Sequence, residues 1–333
     1  MTTLDTAHPQ LEHTLSSVNK IHLSSEEHLE QLLLLSLQNR ELPGHFAVLC
    51  ESGVDNCLRL NRSAAFPAPS ALAELLRANL PQIVRRLPDS LEIVSVGVLD
   101  SQIEALLLNA LLQRGLRGYI PVSPSSRMVD AALSGVQHID VQKTGFVGLI
   151  EDLPRIRAHW HIPVLLSLLG GRFCDYEPDD FLPVISSQLS PGDRFLFDCL
   201  LFPTPAEGRA RWRDAIQKQP PSQDYFQYNI GPVVDRGLCP DDCRLSLRLA
   251  SVSTLFGNAF QTRAQIELLT DTSIEIAGQK LPFAAGETIV AASSYRYSLF
   301  QVIWHLRRNA FRVIESFLDP DGLSVLVLAT KEY

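Results

Sequence analysis

Residues 91–126 read LEIVSVGVLDSQIEALLLNALLQRGLRGYIPVSPSS, and the order of patterns inside them decides the fold. Leu91–Leu99 is a nearly unbroken apolar run, as expected for a strand buried on both faces of a parallel sheet. Ser101–Gly115 has helical spacing and ends in a glycine suited to a left-handed C-cap. Gly118–Ser123 is a second strand. Strand, helix and strand in this order predict a βαβ unit, which in nucleotide-binding α/β proteins carries a glycine-rich first turn and an acidic residue at the end of the second strand. Here the turn is Gly97-Val98-Leu99-Asp100-Ser101, and the second strand ends at Ser123.

The alternation continues downstream. Ser125–Gly135 predicts a helix and His138–Phe146 a third strand with its loop. Ile162–Gly171 predicts a very apolar strand, Asp179–Asp193 a helix and its stop, and Asp193–Phe202 another strand. After Pro203 the pattern changes. A short helix breaks at Pro220-Pro221, and Cys243–Phe256 and Arg263–Phe283 show the period-two alternation of antiparallel strands. Ser298–Lys331 returns to helix, strand, turn and strand, with Asp319-Pro320-Asp321-Gly322 as the hairpin turn. Upstream, Ser24 or Ser25 caps a helix running to about Asn39, while His45–Glu51 and Asn56–Arg62 read as short extended pieces. A second helix is predicted from about Ala71.

The expected fold is α/β, a doubly wound Rossmann-like sheet with a second, smaller α+β substrate or cap domain. The expected divisions are 1–61, a segment contributing to the second domain; 62–205, the core; 206–290, the inserted cap; and 291–333, a return to the core sheet.

Bulk properties narrow the function. Hydrophobic residues at 46% and charged ones at 20% suit a globular chain, and a formal charge of −8 argues against broad nucleic-acid binding. Glu27–Gln38 is apolar but too short to span a bilayer, and the first residues lack a basic region followed by an apolar run. The expectation is a cytoplasmic protein acting on a small molecule, without nucleic-acid or membrane partners, with a homodimer or a partner enzyme compatible. The six cysteines form no disulfide framework. Cys239 and Cys243 have half of a metal-site spacing, but no neighbouring His or Cys pair completes it, so no metal is expected.

Three segments resemble one family. They are FPAPSALAELL through GYIPVSPS, LLGGRFCDYEPDDF through LSPGDRFLFDCLLF, and LPFAAGETIVAASSYRYS through FRVIESFLDPDGLSVLVL. In order and spacing they are similar to the histidine-specific methyltransferases, the S-adenosylmethionine-dependent enzymes typified by the ergothioneine-pathway histidine Nα-methyltransferase. The resemblance covers roughly residues 62–333 and implies the cofactor S-adenosylmethionine.

The resemblance also implies site residues, several of them altered. Gly97 and Asp100 stand in the cofactor turn, with Leu99 and Ser101 at the other glycine positions. Ser123 replaces the aspartate that accepts the ribose hydroxyls. Thr144-Gly145-Phe146 matches the adenine-binding loop, with Phe146 either flanking the purine or packing in the core. Asp175 stands for the asparagine that contacts the substrate amino acid, and Ala292 and Ser294 for the E-x-S pair that reads the imidazole. Tyr295 is a candidate pocket aromatic, and Asp198 sits either at a strand end or in a site. With the glutamate gone, histidine is not the expected substrate. Asp175, Ser294 and Tyr295 would orient a small amine or amino-acid-derived metabolite for N-methylation. The alternative is a methyltransferase fold that has lost methyl transfer, as a pseudoenzyme partner or an enzyme using the cleft for other chemistry.

Overall fold

The computed structural model describes residues 19–63, 68–99, 101–160, 163–203, 206–218, 221–254 and 257–332. Its strands are β1 (Asn19–His22), β2 (Glu92–Val96), β3 (Gly118–Ser123), β4 (Gln142–Val147), β5 (Val164–Leu168), β6 (Arg194–Leu200), β7 (Cys243–Thr254), β8 (Gly257–Leu268), β9 (Thr272–Ile276), β10 (Gln279–Phe283), β11 (Thr288–Arg296), β12 (Phe311–Leu318) and β13 (Ser324–Lys331).

One sheet has eight strands in the order β1-β4-β3-β2-β5-β6-β13-β12. The pairings from β1 to β6 are parallel, and β13 and β12 add an antiparallel edge. Strand order reverses between β2 and β5, the switch point outside which α/β sheets open a crevice.

Side chains alternate across this sheet because a strand has a period of two. Val94, Val122, Phe146 and Leu166 pack into one core layer, while Ile93, Tyr119, Leu165 and Leu196 pack into the other. The first layer is closed by the helix Pro178–Gln188, through Phe181, Leu182 and Ile185. The second is closed by the helices Ala68–Arg86 and Gln102–Leu111, through Leu76, Ile83, Leu107 and Leu108. Both faces are covered, which explains why β2 and β5 are buried along their whole length.

A second core forms where β11, β8 and β7 make an antiparallel sheet beside the β9–β10 hairpin. The two-residue loop of that hairpin is Ala277-Gly278, both at positive φ, as a type I′ turn requires. Leu33 and Leu37 of the helix Glu26–Gln38 pack with Ile266, Ile274, Phe283 and Ile289. Ser25 caps that helix, its side chain accepting from His28 N.

The structure departs from the sequence reading in three places upstream and at one boundary. Gly44–Val48 is a 3-10 turn and Glu51–Arg62 an α-helix, not extended chain. Val54, Cys57 and Leu60 recur every third residue and meet Met128 and Tyr228, so their burial follows a helical period. Residues 19–22, inside the 1–61 segment assigned to the second domain, instead pair as β1 with β4 of the main sheet. The boundary at residue 291 falls inside β11, which belongs to the smaller sheet, so the chain returns to the main sheet only after Tyr297. Main-chain bonds join these parts: Leu42 N of the N-terminal segment donates to Val290 O of β11 at 2.7 Å, and Phe202 N, just past β6, donates to Tyr297 O, just past β11, at 3.1 Å.

Candidate functional site

A cavity of about 560 Å³ lies at the carboxyl ends of β2, β3 and β5, roofed by the smaller sheet. Its size lies within the range of about 300–1,000 Å³ usual for small-molecule sites. Val96, Gly97, Ser123 and Leu168 border it from the main sheet. Gly44 and His45 border it from the N-terminal segment, and Gln261, Arg263, Ala292, Ser293 and Tyr295 from β8 and β11.

The turn after β2 keeps its backbone shape despite its altered residues. Gly97 has φ +69° and donates to Val122 O at 2.9 Å. A Cβ at Gly97 would stand 3.2 Å from Arg172 Cγ, so the residue lets another group lie close. Ser101, at a former glycine position, holds φ +57° and its hydroxyl meets Tyr119 Oη at 3.2 Å. Leu99, at the other, borders a separate cavity with Arg62, Arg77 and Gly170 and does not line the main one. The lost glycines therefore do not fill the cleft. Asp100 lies outside the described residues.

Ser123 ends β3, is buried and borders the cavity, its hydroxyl accepting from Ser125 N at 3.3 Å. Phe146 does not border it. The ring is fully buried inside β4, opposite Ile21 and Val122, and meets His159 at 5.1 Å. This placement contradicts a purine-flanking role and gives Phe146 to the core. The loop that does reach the cleft is Gly148–Glu151. Gly148 N donates to Ser123 O at 2.9 Å, and Leu149 N to Asp152 Oδ2 at 3.0 Å. Burial pushes the Glu151 carboxyl up.

The segment after β5 carries the charge. Gly170 and Gly171 are both left-handed, and Gly171 N donates to Asp198 Oδ2 at 2.9 Å. Asp198 is buried within β6 with Oδ1 unpartnered. It sits at neither an exposed strand end nor in the cavity lining; it anchors the turn that presents the lining. Burial pushes its carboxyl up to about 6, the Gly171 and Gly170 amides pulling it down and the Asp175 charge adding to the rise.

Arg172 follows the turn. Its Nη1 donates to Asp175 Oδ2 at 3.1 Å, while its buried Nε has no partner. Enclosure raises Asp175 against the pull of Arg172. It pushes His45 down to about 4, with the Arg172 charge adding to the fall, so His45 is neutral at physiological pH. Among the described residues, Glu41, Glu151, Asp175, Glu177 and Asp180 line the cleft against Arg172 and Arg263, an excess of carboxylates.

Tyr295 borders the cavity, and burial raises its phenol, which stays a hydrogen-bond donor. Ser294 does not border it, and its hydroxyl accepts instead from Arg296 Nη1 at 3.0 Å. Past a register irregularity between Val290 and Ala292, the residues Ala292, Ser293 and Tyr295 line the cleft, and Ser294 stands opposite Thr262 of β8. Gly97, Ser123, Asp175 and Tyr295 thus converge on one space. Arg172, His45 and Glu151 join them without having been singled out in the sequence. The signal available for Arg172 was a charge directly after an apolar parallel strand, where ligands bind such sheets.

Residues 70–331 match the histidine-specific, S-adenosylmethionine-dependent methyltransferases. The chain belongs to that family. A methyltransferase fold that has lost methyl transfer finds no support in this match. No curated protein matches the chain. Among solved structures it is similar to a Burkholderia thailandensis 1,6-didemethyltoxoflavin-N1-methyltransferase with bound 1,6-didemethyltoxoflavin and S-adenosylhomocysteine (13% identity, 93% of this chain and 92% of that one, TM-score 0.44). It is also similar to an S-adenosylmethionine-bound amino pentose methyltransferase from Micromonospora echinaspora (11% identity, 79% and 92%, TM-score 0.39). A third is an S-adenosylmethionine-dependent methyltransferase from Clostridium acetobutylicum (8% identity, 79% and 92%, TM-score 0.41).

The residues present fit S-adenosylmethionine. The left-handed turn at Gly97 and the end of β3 at Ser123 border one roomy cleft, and its carboxylates suit a cationic sulfonium. Among the described residues no group of three or more His, Cys, Asp or Glu is placed to hold a metal ion, and Cys239 and Cys243 are free thiols. No described helix is long and apolar enough to cross a membrane.

Proposed function

We propose that this protein transfers a methyl group from S-adenosylmethionine to an amine nitrogen of a small amine or amino-acid-derived metabolite other than histidine. The observation that carries the proposal is the single cavity joining Gly97 and Ser123 to an acidic wall of Asp175, Glu177 and Asp180. When bound, the cofactor supplies an electrophilic methyl group on a sulfonium. Gly97 and Ser123 would hold it, with Glu151 at the loop after β4 as a lining carboxylate able to accept from an amino group. The acidic wall attracts an ammonium-bearing acceptor and orients it. The chain then has to present the nitrogen lone pair in line with the methyl carbon, which is a matter of positioning. An ammonium acceptor would first give up one proton to free that lone pair, which would then take the methyl group as the electron pair of the C–S bond goes to sulfur. Asp175, raised by its enclosure, suits that proton. Histidine is disfavoured because Ala292 lines the cleft where the imidazole-reading glutamate would stand.

Calorimetric titration with S-adenosylmethionine and S-adenosylhomocysteine, followed by labelled methyl transfer to a panel of amines including histidine, tests the reading. Binding of both, with transfer to amines and none to histidine, is expected. Absence of binding at millimolar concentration would overturn it.

A further inference from the structure

A second cavity of about 350 Å³ lies beside the first, and the two share Glu177 and Tyr295 as lining. Beyond that common wall it is bordered by Asp179, Tyr297, Ser253 and His305. His305 comes from the helix Leu299–Arg308 and is 4% exposed. Its Nδ1 stands 3.2 Å from Asp179 Oδ1. A carboxylate only accepts, so Nδ1 carries a hydrogen towards Asp179, and in the neutral form of such a ring Nε2 is an acceptor. That Nε2 is buried and has no partner among the protein atoms. Buried polar atoms of this kind are normally met by something.

The surroundings say what would meet it. Tyr295 stacks on Tyr297 at 5.8 Å, and Tyr297 packs edge-on against His305 at 5.8 Å. An aromatic line therefore runs from the wall of the first cavity to the imidazole. Glu177 and Asp179 put negative charge on the same path, with Arg308 3.6 Å from Asp179 Oδ2 as a partial counterweight. Aromatic faces, carboxylates and a lone-pair acceptor together favour a cationic N–H donor.

We propose that the second cavity holds the far end of the acceptor and that this end carries a second amine, so that the substrate is an elongated diamine methylated at one nitrogen and anchored at the other. The assignment rests on the reading of the first cavity as the methyl-acceptor site. His305 and Asp179 act as positioning residues.

The test compares hexamethylenediamine with hexylamine on the protein loaded with S-adenosylhomocysteine, by calorimetry, and then with S-adenosylmethionine as substrates. The wild type should bind the diamine at least tenfold more tightly. Ser253→Trp, which crowds the second cavity from its exposed rim, and His305→Gln should each erase that preference while leaving hexylamine affinity unchanged. Equal affinity for the two amines, no binding of either, or a preference that survives both variants would overturn the assignment. Preferential diamine binding without methylated product would leave the subsite standing and refute methyl transfer to amines. Methylation of both amines with equal KM would do the reverse.

Discussion

Asp198→Asn isolates how the fold holds the turn that carries Arg172 and Asp175. Burial pushes the Asp198 carboxyl up to about 6 from an ordinary 3.8. The folded chain therefore keeps a proton on Asp198 at acidities where the unfolded chain has lost it. Stability contributed by this group is fully present below the unfolded value and falls as pH rises through the folded one. A rise from 3.8 to about 6, at about 1.4 kcal/mol for each tenfold in acidity, makes the penalty roughly 3 kcal/mol once the carboxyl is ionised. Asparagine keeps an oxygen for the Gly171 amide and cannot ionise. The stability of Asp198→Asn relative to wild type should therefore grow by about 2 kcal/mol between pH 4 and pH 7, part of the penalty being in place at pH 4 already. Urea unfolding followed by tryptophan fluorescence across that range reads the difference. Asp175→Asn should narrow it, because the Asp175 charge adds to the rise. A difference that stays flat with pH would mean that Asp198 titrates normally and that its burial carries no electrostatic cost.

Other substitutions address the cleft itself. Gly97→Ala forces a side chain into a left-handed residue beside Arg172 Cγ, which should cost about 1–2 kcal/mol of stability and weaken S-adenosylhomocysteine binding; unchanged affinity by calorimetry would remove the turn from the cofactor site. Ser123→Asp puts an acceptor-only carboxylate at the end of β3 and should tighten the same ligand by about tenfold, the value of a charge-assisted hydrogen bond; weaker binding would show that the ribose lies elsewhere. Arg172→Met removes the charge that helps hold His45 near 4, so the ring should titrate at higher pH by NMR, and an unmoved titration would place the guanidinium too far away to act. Phe146→Ala should cost about 3–5 kcal/mol with cofactor affinity preserved in the protein that remains folded; selective loss of affinity would restore Phe146 to the site.

Phe146 and Ser294 show where reading the sequence falls short. Gln142–Val147 is apolar towards its end and is followed by more apolar residues, so nothing local marks where strand gives way to loop. The resemblance matches Thr144–Phe146 to a loop, whereas the chain leaves the sheet only at Gly148, where its amide still bonds to Ser123 O. Ser294 is singled out by its place in the E-x-S resemblance, and which β11 side chains meet the cleft depends on packing: Ser293 and Tyr295 reach it, while the Ser294 hydroxyl accepts from Arg296 Nη1. Glu51–Arg62 failed for another reason: its apolar residues are few, and their period shows only against the Met128 and Tyr228 that they meet.

By itself the sequence determined the doubly wound sheet, because unbroken apolar strands and capped amphipathic helices in βαβ order have few other ways to cover both faces. It also determined the family and the turn at Gly97, since the absence of a side chain there is local chemistry. Tertiary structure alone decided that Leu99 points away from the cleft, that Asp198 is a buried anchor, and that Arg172, His45 and five carboxylates share one space. These are properties of distance and dielectric between residues far apart in the chain. Strand order and the packing of the smaller sheet over the main one set them, and neither is written in any single stretch.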